Sequence, residues 1–175
     1  MGVDDHKTGT PLELGCGVIT VSDTRTVETD GSGREVRELL EAAGHRVSGY
    51  EIVPDDASVV ADLVSAWAVR RDVDVVVLNG GTGLAPRDNT YEAVARILTR
   101  RIDGFGELFR ALSYQEIGSA AMLSRAVGGL VGTVAVFALP GSTAACRLAL
   151  VQLVIPELGH IAKLANPEKW SRGSQ

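Results

Sequence analysis

Cysteine is scarce in this chain. Only Cys16 and Cys146 occur among 175 residues. They lie far apart in apolar runs, with no CxxC pair and no histidines at metal-ligand spacing. That argues against a disulfide framework or a thiolate metal site and leaves two buried, hydrophobe-like thiols. No block of Lys or Arg occurs, and the net charge is −5, which speaks against a nucleic-acid partner held by phosphate contacts. An anionic ligand would instead need local help from backbone amides, helix N-termini and a few arginines. The opening MGVDDHKTGT lacks a basic region followed by an apolar core, and no apolar run reaches the length of a membrane span. The expectation is a cytoplasmic protein with reduced thiols and no membrane partner. His6, His45 and His160 have no Ser or Cys partner in any local signature and read as bystanders. Neither a P-loop nor a GxGxxG fingerprint is present.

What is present suits one compact domain. Apolar residues make up 45% of the chain and charged residues 22%, an ordinary globular balance. Residues 1–13 and 167–175 are polar and read as flexible ends around a single domain over 14–166. Within it, strand-like and helix-like stretches alternate. GCGVITVS (15–22) reads as a strand buried on both faces. A loop of turn formers, DTRTVETDGSG, leads to a helix with Val36, Leu39, Leu40 and Ala43 inward and Gly44 as its stop. RVSGYEIVPDD gives a second strand. ASVVADLVSAWAVRR gives a helix carrying Val59, Val60, Leu63, Val64 and Trp67 inward.

DVDVVVLN is the third and most β-branched strand. TYEAVARILTRRI follows as an amphipathic helix with Asn89 or Thr90 as N-cap and Glu92 in its first turn. DGFGELFRALSYQEIGSAAMLSRA reads as two shorter helices broken near Gly118. AVGGLVGTVAVFALPGS reads as a hairpin around Gly128, Gly129 or Gly132. The chain ends in helix, interrupted or kinked at Pro156. Alternating β and α units predict a three-layer α/β/α sandwich on a mostly parallel sheet, with ligands beyond the carboxyl ends of the strands.

Four strands end in polar clusters: Ser22-Asp23-Thr24, Pro54-Asp55-Asp56, Gly80-Gly81-Thr82-Gly83 and Pro140-Gly141-Ser142. If parallel, they converge on one edge. Three glycines within NGGTG let successive N–H groups cradle an anionic or carbonyl-rich ligand, although a tight turn without ligand uses the same residues. Asp55 and Asp88 could share a Mg²⁺ ion with substrate phosphates. Asp56 is better suited to capping the next helix, and Asp88 could cap the third. Arg87, Arg110 and Arg125 carry guanidinium forks that fit phosphate. Glu107 sits on a glycine-flanked turn, where it could accept from a heterocycle edge or merely start a helix.

VITVSDT, DGSG, VPDD, NGGTGLAPRDNT, GFGELFR, LSRAVGG and LPGST, in that order and spacing, resemble the molybdopterin-binding family of molybdenum-cofactor biosynthesis, the MoaB and MogA type. The resemblance runs from about Gly15 to Ala165. It implies the three-layer fold, a homo-oligomer (trimer or hexamer), and transfer of AMP from ATP to the terminal phosphate of molybdopterin with Mg²⁺, releasing pyrophosphate. A molybdate-insertion protein would take the product. The resemblance also implies catalytic and metal-holding roles for Asp55 and Asp88. Ligand contacts would come from Ser22, Asp23, Gly80, Gly81, Thr82, Gly83, Ser124, Pro140, Gly141 and Ser142. Two alternatives are a pterin carrier without catalysis and, more remotely, a nucleotide pyrophosphatase. One departure stands out, because Asn79 replaces the Thr or Ser that more often precedes the glycine loop. Phe105, Leu108, Phe109, Leu112 and Tyr114 offer more apolar surface than one helix face needs, which suits a subunit interface.

Overall fold

The buried valines between residues 15 and 139 form the middle of a six-stranded sheet. The structure, a computed structural model, describes residues 13–171. Strands β1 (Gly15–Val21), β2 (Arg46–Val53), β3 (Val75–Asn79), β4 (Arg100–Arg101), β5 (Val127–Val131) and β6 (Val134–Leu139) lie in the order β2-β1-β3-β6-β5-β4. The first four in that order run parallel, while β5 returns antiparallel to β6 and β4 antiparallel to β5. Every residue of β1, β3 and β6 is buried, as expected for central strands covered on both faces. The two-residue turn at 132–133 closes the hairpin, with Gly132 at φ 61°, so Gly132 and not Gly128 or Gly129 makes the reversal.

Helices α1 (Gly31–Ala42), α2 (Ala57–Ala68), α3 (Thr90–Ile97), α4 (Asp103–Ile117), α5 (Thr143–Ala149), α6 (Ile155–Ala165) and α7 (Pro167–Ser171) cover the two faces. On one face Val18, Val75, Val77, Phe137 and Leu139 meet α1, α4, α5 and α6. On the other Ile19, Val76, Leu78 and Val136 meet Val60, Val64 and Trp67 of α2 and Val94 of α3. Each such aliphatic side chain contributes about 1.5–3 kcal/mol relative to exposure. The sandwich is therefore as expected, with local differences. Val59 turns outward, 38% exposed, because the inward stripe of α2 follows residues 60, 64 and 67. Ala43 is an exposed C-cap. Phe105 and Phe109 pack into the core, with Phe105 edge-on to Phe137 at 5.0 Å between ring centres.

The last helices form one 23-residue helical run, Thr143–Ala165, whose α-winding is interrupted just before Pro156. Leu150–Val154 winds as a π-turn just before the proline. The looser winding gives room where the proline ring would crowd the carbonyl four residues back. By length and hydropathy this run is sufficient to cross a membrane, which the sequence reading did not expect. Its Cys146, Ala149, Leu150, Val154, Leu158 and Ala162 are instead buried against the sheet. Pro167–Ser171, expected within a flexible end, is helical, and Lys169 reaches Asp74 while Trp170 packs on the core. The rest of that expectation, residues 1–12 and 172–175, lies outside the described residues.

Register positions the site. Val21 pairs with Val53, Thr20 with Asn79 and Asn79 with Leu139. The residues that follow these strand ends therefore leave the sheet at one level and share a rim.

Candidate functional site

The glycine loop after β3 is shaped first by its protein neighbours. Gly80 and Gly81 adopt φ 99° and 63°, a left-handed region that costs other residues strain. A Cβ at Gly80 would overlap the Val21 carbonyl. One at Gly81 would overlap the Thr90 hydroxyl and crowd Asp55 Oδ2, and one at Gly83 would overlap Asp88 Oδ2. The missing side chains thus make room for two carboxylates. Beyond the loop lies a cleft of about 330 Å³, lined by Gly80, Gly81, Thr82, Gly83, Asp88, Leu123, Ser124, Arg125, Pro140 and Gly141. Three separate chain segments meet there; of the four strand-end clusters expected on one edge, two line this cleft.

Each carboxylate is anchored through one oxygen. Asp55 Oδ1 accepts the Asn89 N–H at 3.0 Å, and Asp88 Oδ2 accepts the Ala85 N–H at 2.9 Å. Asp88 Oδ1 and Asp55 Oδ2 accept from no donor among the described residues. Asp55 N–H donates to Asp23 Oδ1 at 3.1 Å, which gathers three carboxylates at the rim. Burial lifts the Asp55 carboxyl above the ordinary aspartate range. The charges of Asp88 and Asp23 add to the effect, while the Asn89 N–H and Arg87 oppose it. Asp88 does not cap α3. The N-cap is Asn89, which makes no side-chain capping bond. Asp56 caps α2 as expected, accepting from Ser58 and Val59 N–H. The Thr90 hydroxyl is buried without a hydrogen-bond partner among the described residues.

Of the three arginines singled out, Arg125 belongs to the cleft. Its Nε donates to the Thr82 carbonyl at 2.8 Å and its Nη2 to the Gly83 carbonyl at 2.6 Å. Glu92 pairs with both Nη atoms, and Tyr91 lies under the guanidinium at 4.9 Å. The hydrogen bond from Arg125 holds the Glu92 carboxyl below its ordinary range, against a smaller effect of burial. Arg87 is exposed, 3.7 Å from Asp23, and Arg110 lines a separate apolar groove.

Ser22 and Asp23 line a neighbouring hollow of about 620 Å³ with Arg25, Glu28, Tyr50 and Pro54. The Ser22 hydroxyl accepts the Thr24 and Arg25 N–H groups. Ser142 caps α5 through the Ala145 N–H. It does not line the cleft, unlike its neighbours Pro140 and Gly141. Glu107 is exposed on α4 and lines neither hollow. It lies inside the helix, past its first turn, where Asp103 is the acidic residue.

A buried polar network escaped the sequence reading. Asp30 is fully buried and accepts from Thr20 Oγ1 (2.5 Å), Tyr50 Oη (2.6 Å), Gly33 N–H (2.9 Å) and Arg25 Nη1 (3.2 Å). Burial works to raise its carboxyl, but the bonds from Thr20, Tyr50 and Gly33, with the Arg25 charge, bring it below the ordinary range. Burial and the bond to Asp30 push the Tyr50 phenol up to about 12. Asn79 belongs to this network. Its Oδ1 accepts from Ser32 at 2.7 Å and its Nδ2 donates to Thr20 at 2.9 Å. The departure before the glycine loop is thus a brace across strand ends, with its amide committed away from the cleft. Arg25 also donates to the Gly141 carbonyl at 2.9 Å. One signal was available: Asp30 stands three residues before Gly33 at a helix start, a capping position hidden among turn formers.

No group of three or more His, Cys, Asp or Glu side chains among the described residues is placed to hold a metal ion. Mg²⁺, however, usually binds through one or two carboxylates with waters and substrate phosphates. The uncommitted oxygens of Asp55 and Asp88 fit that mode and not a closed protein cage.

Comparison with known proteins shows the family and the fold. Residues 17–160 match the family described as "Probable molybdopterin binding domain". Molybdenum cofactor biosynthesis protein B of Bacillus cereus is 54% identical over 162 residues, covering 92% of this chain and 96% of its own. A crystal structure of a molybdenum cofactor biosynthesis protein B superposes with a TM-score of 0.87 at 54% identity, covering 89% and 98%. The tungsten cofactor synthesizing protein MoaB from Pyrococcus furiosus superposes at 0.78, with 39% identity over 89% and 98%.

Proposed function

The chain belongs to the molybdopterin-binding domain family, and from that premise we propose that it adenylylates molybdopterin in molybdenum-cofactor biosynthesis. The observation that carries the reading is the cleft where the glycine loop, Asp88, Ser124, Arg125 and Gly141 meet, with Asp55 and Asp88 each keeping one oxygen uncommitted. An oxygen of the pterin's terminal phosphate attacks the α-phosphorus of ATP. The new P–O bond forms as the bond to the bridging oxygen breaks, and pyrophosphate leaves with the electron pair. Mg²⁺, held by Asp55 and Asp88, would neutralise phosphate charge. Such a transfer needs positioning and charge neutralisation more than covalent help from protein. The rim supplies the positioning from fixed places. Asp55 is tied to Asn89 and to Asp23, Asp88 closes a turn on Ala85, and the glycine loop offers bare peptide groups.

The same reading makes the protein cytoplasmic and passes its product to a molybdate-insertion protein. It also includes a homo-oligomer, trimer or hexamer. Leu108, Tyr114, Ile117, Met122 and Leu123 are all more than half exposed, and beside them an apolar groove of about 410 Å³ is lined by Ala111, Tyr114, Ala121 and Met122. That patch suits a subunit contact, with Phe105 and Phe109 now assigned to the core. A monomer in sedimentation at micromolar concentration would remove this part.

Purified protein given molybdopterin, ATP and Mg²⁺ is expected to yield adenylylated pterin and pyrophosphate. Pterin binding without either product would leave a carrier role instead, since the cleft serves both. Dinucleotide hydrolysis without pterin would favour the pyrophosphatase.

A further inference from the structure

In the glycine loop, three consecutive carbonyls are held by hydrogen bonds from elsewhere in the chain. The Gly81 carbonyl accepts the Thr90 N–H at 2.9 Å, and the carbonyls of Thr82 and Gly83 both accept from Arg125. All described peptide bonds are trans, so each peptide N–H points opposite to its own carbonyl. The N–H groups sharing peptide units with the Thr82 and Gly83 carbonyls are those of Gly83 and Leu84. They point away from Arg125 and meet no acceptor among the described residues. Two adjacent amides left free in this way can donate to an anion.

Arg125 itself has little left to offer a ligand. Four of its five N–H donors go to Thr82, Gly83 and Glu92, whose carboxylate also balances the charge. We propose that Arg125 is a positioning residue: by clamping the Thr82 and Gly83 carbonyls it presents the Gly83 and Leu84 N–H groups to a ligand phosphate, and Glu92 holds the clamp. The guanidinium lines the cleft, but with its donors committed it acts on the loop and not on the phosphate. This rests on the molybdopterin reading for the identity of the ligand, but the anion nest is independent of it.

The test separates a clamp from a cation. Arg125→Lys keeps the charge but cannot fork onto two carbonyls and a carboxylate. Molybdopterin affinity is expected to fall about tenfold or more in both Arg125→Lys and Arg125→Gln, the scale of one or two lost charge-assisted hydrogen bonds. In the wild-type protein, titration with inorganic pyrophosphate should shift the Gly83 and Leu84 amide resonances. In Arg125→Lys these shifts should vanish. Retention of affinity within twofold by Arg125→Lys, with loss in Arg125→Gln, would overturn the clamp in favour of a direct ion pair. Glu92→Gln covers the case in which the Arg125 variants do not fold. A clamp predicts weaker binding because the guanidinium is loosened, whereas a direct ion pair predicts tighter binding because its charge is released. If the wild-type protein fails to bind molybdopterin, the functional reading falls. The pyrophosphate shifts then still decide the nest, and their absence from the wild-type protein overturns it.

Discussion

The two ends of the sheet carry similar residues in different states. At the end where β1, β3 and β6 begin, a hollow of about 530 Å³ is lined by Arg70, Arg71, Asp74, Asn166, Glu168 and Lys169. It is larger than the cleft at the opposite end, and it is charged. Arg70, Asp74 and Lys169 there are paired, however. Arg70 forks onto Asp72 at 3.0 and 2.8 Å and also donates to the Ser48 carbonyl, while Asp74 accepts the Gly15 N–H and pairs with Lys169. At the other end the Asp55 and Asp88 carboxylates each keep an oxygen without a donor among the described residues, and two successive loop amides have no acceptor among them. Uncommitted hydrogen-bonding capacity, more than volume, separates a site from a surface hollow.

The largest expected break in that comparison comes from removing a free carboxylate oxygen at the rim. Asp88→Asn keeps an acceptor for the Ala85 N–H, so the turn should survive. Adenylyl transfer is expected to fall by at least about a hundredfold, the scale of losing one preorganised electrostatic partner, while molybdopterin affinity stays within a few-fold. Loss of pterin affinity equal to the loss of turnover would show that Asp88 serves binding and not the transfer.

The next effect concerns stability, because Asp30 joins the buried strand ends on which the rim is built. Asp30→Asn leaves the Thr20, Tyr50 and Arg25 donors facing a neutral amide. It should cost about 3 kcal/mol in urea unfolding, in line with breaking a buried charge network. The folded carboxyl lies below its ordinary range, so its contribution is present above the unfolded carboxylate range and is lost as pH falls through the depressed folded value. Asp30→Asn should flatten that acid limb. An unchanged limb would mean that the four donors do not favour the charged form.

Sequence reading reached the sheet, the order of its elements and the convergence of Gly80–Gly83, Asp55 and Asp88, because hydrophobic period and strand-end punctuation are local signals. It failed where a partner is distant in sequence. Nothing near residue 30 announces that Asp30 will meet Tyr50, and nothing near residue 125 announces that Arg125 will take the carbonyls of residues 82 and 83. Glu107 is a different case, since a glycine-flanked carboxylate reads either as a ligand-facing turn or as a helix start, and in the fold it is exposed within α4. Phe105 and Phe109 looked surplus to one helix face only because Phe137, their partner across the core, lies about thirty residues on. The glycines were read as room for a guest, whereas Gly81 and Gly83 first make room for the site's own carboxylates.

The smallest expected effect tests the opposite end of the sheet. Lys169→Ala removes the pair to Asp74 and a contact to the Arg71 carbonyl, and the lysine is partly exposed, so the stability change should be within about 1 kcal/mol. Asp74 keeps the Gly15 N–H as a donor and is not stranded. Turnover and molybdopterin affinity should both match wild type, because nothing at that end faces the rim. If Lys169→Ala instead slowed adenylyl transfer without loosening the fold, the larger hollow would have to contribute to function. Paired charge would then no longer mark a silent surface in this molecule.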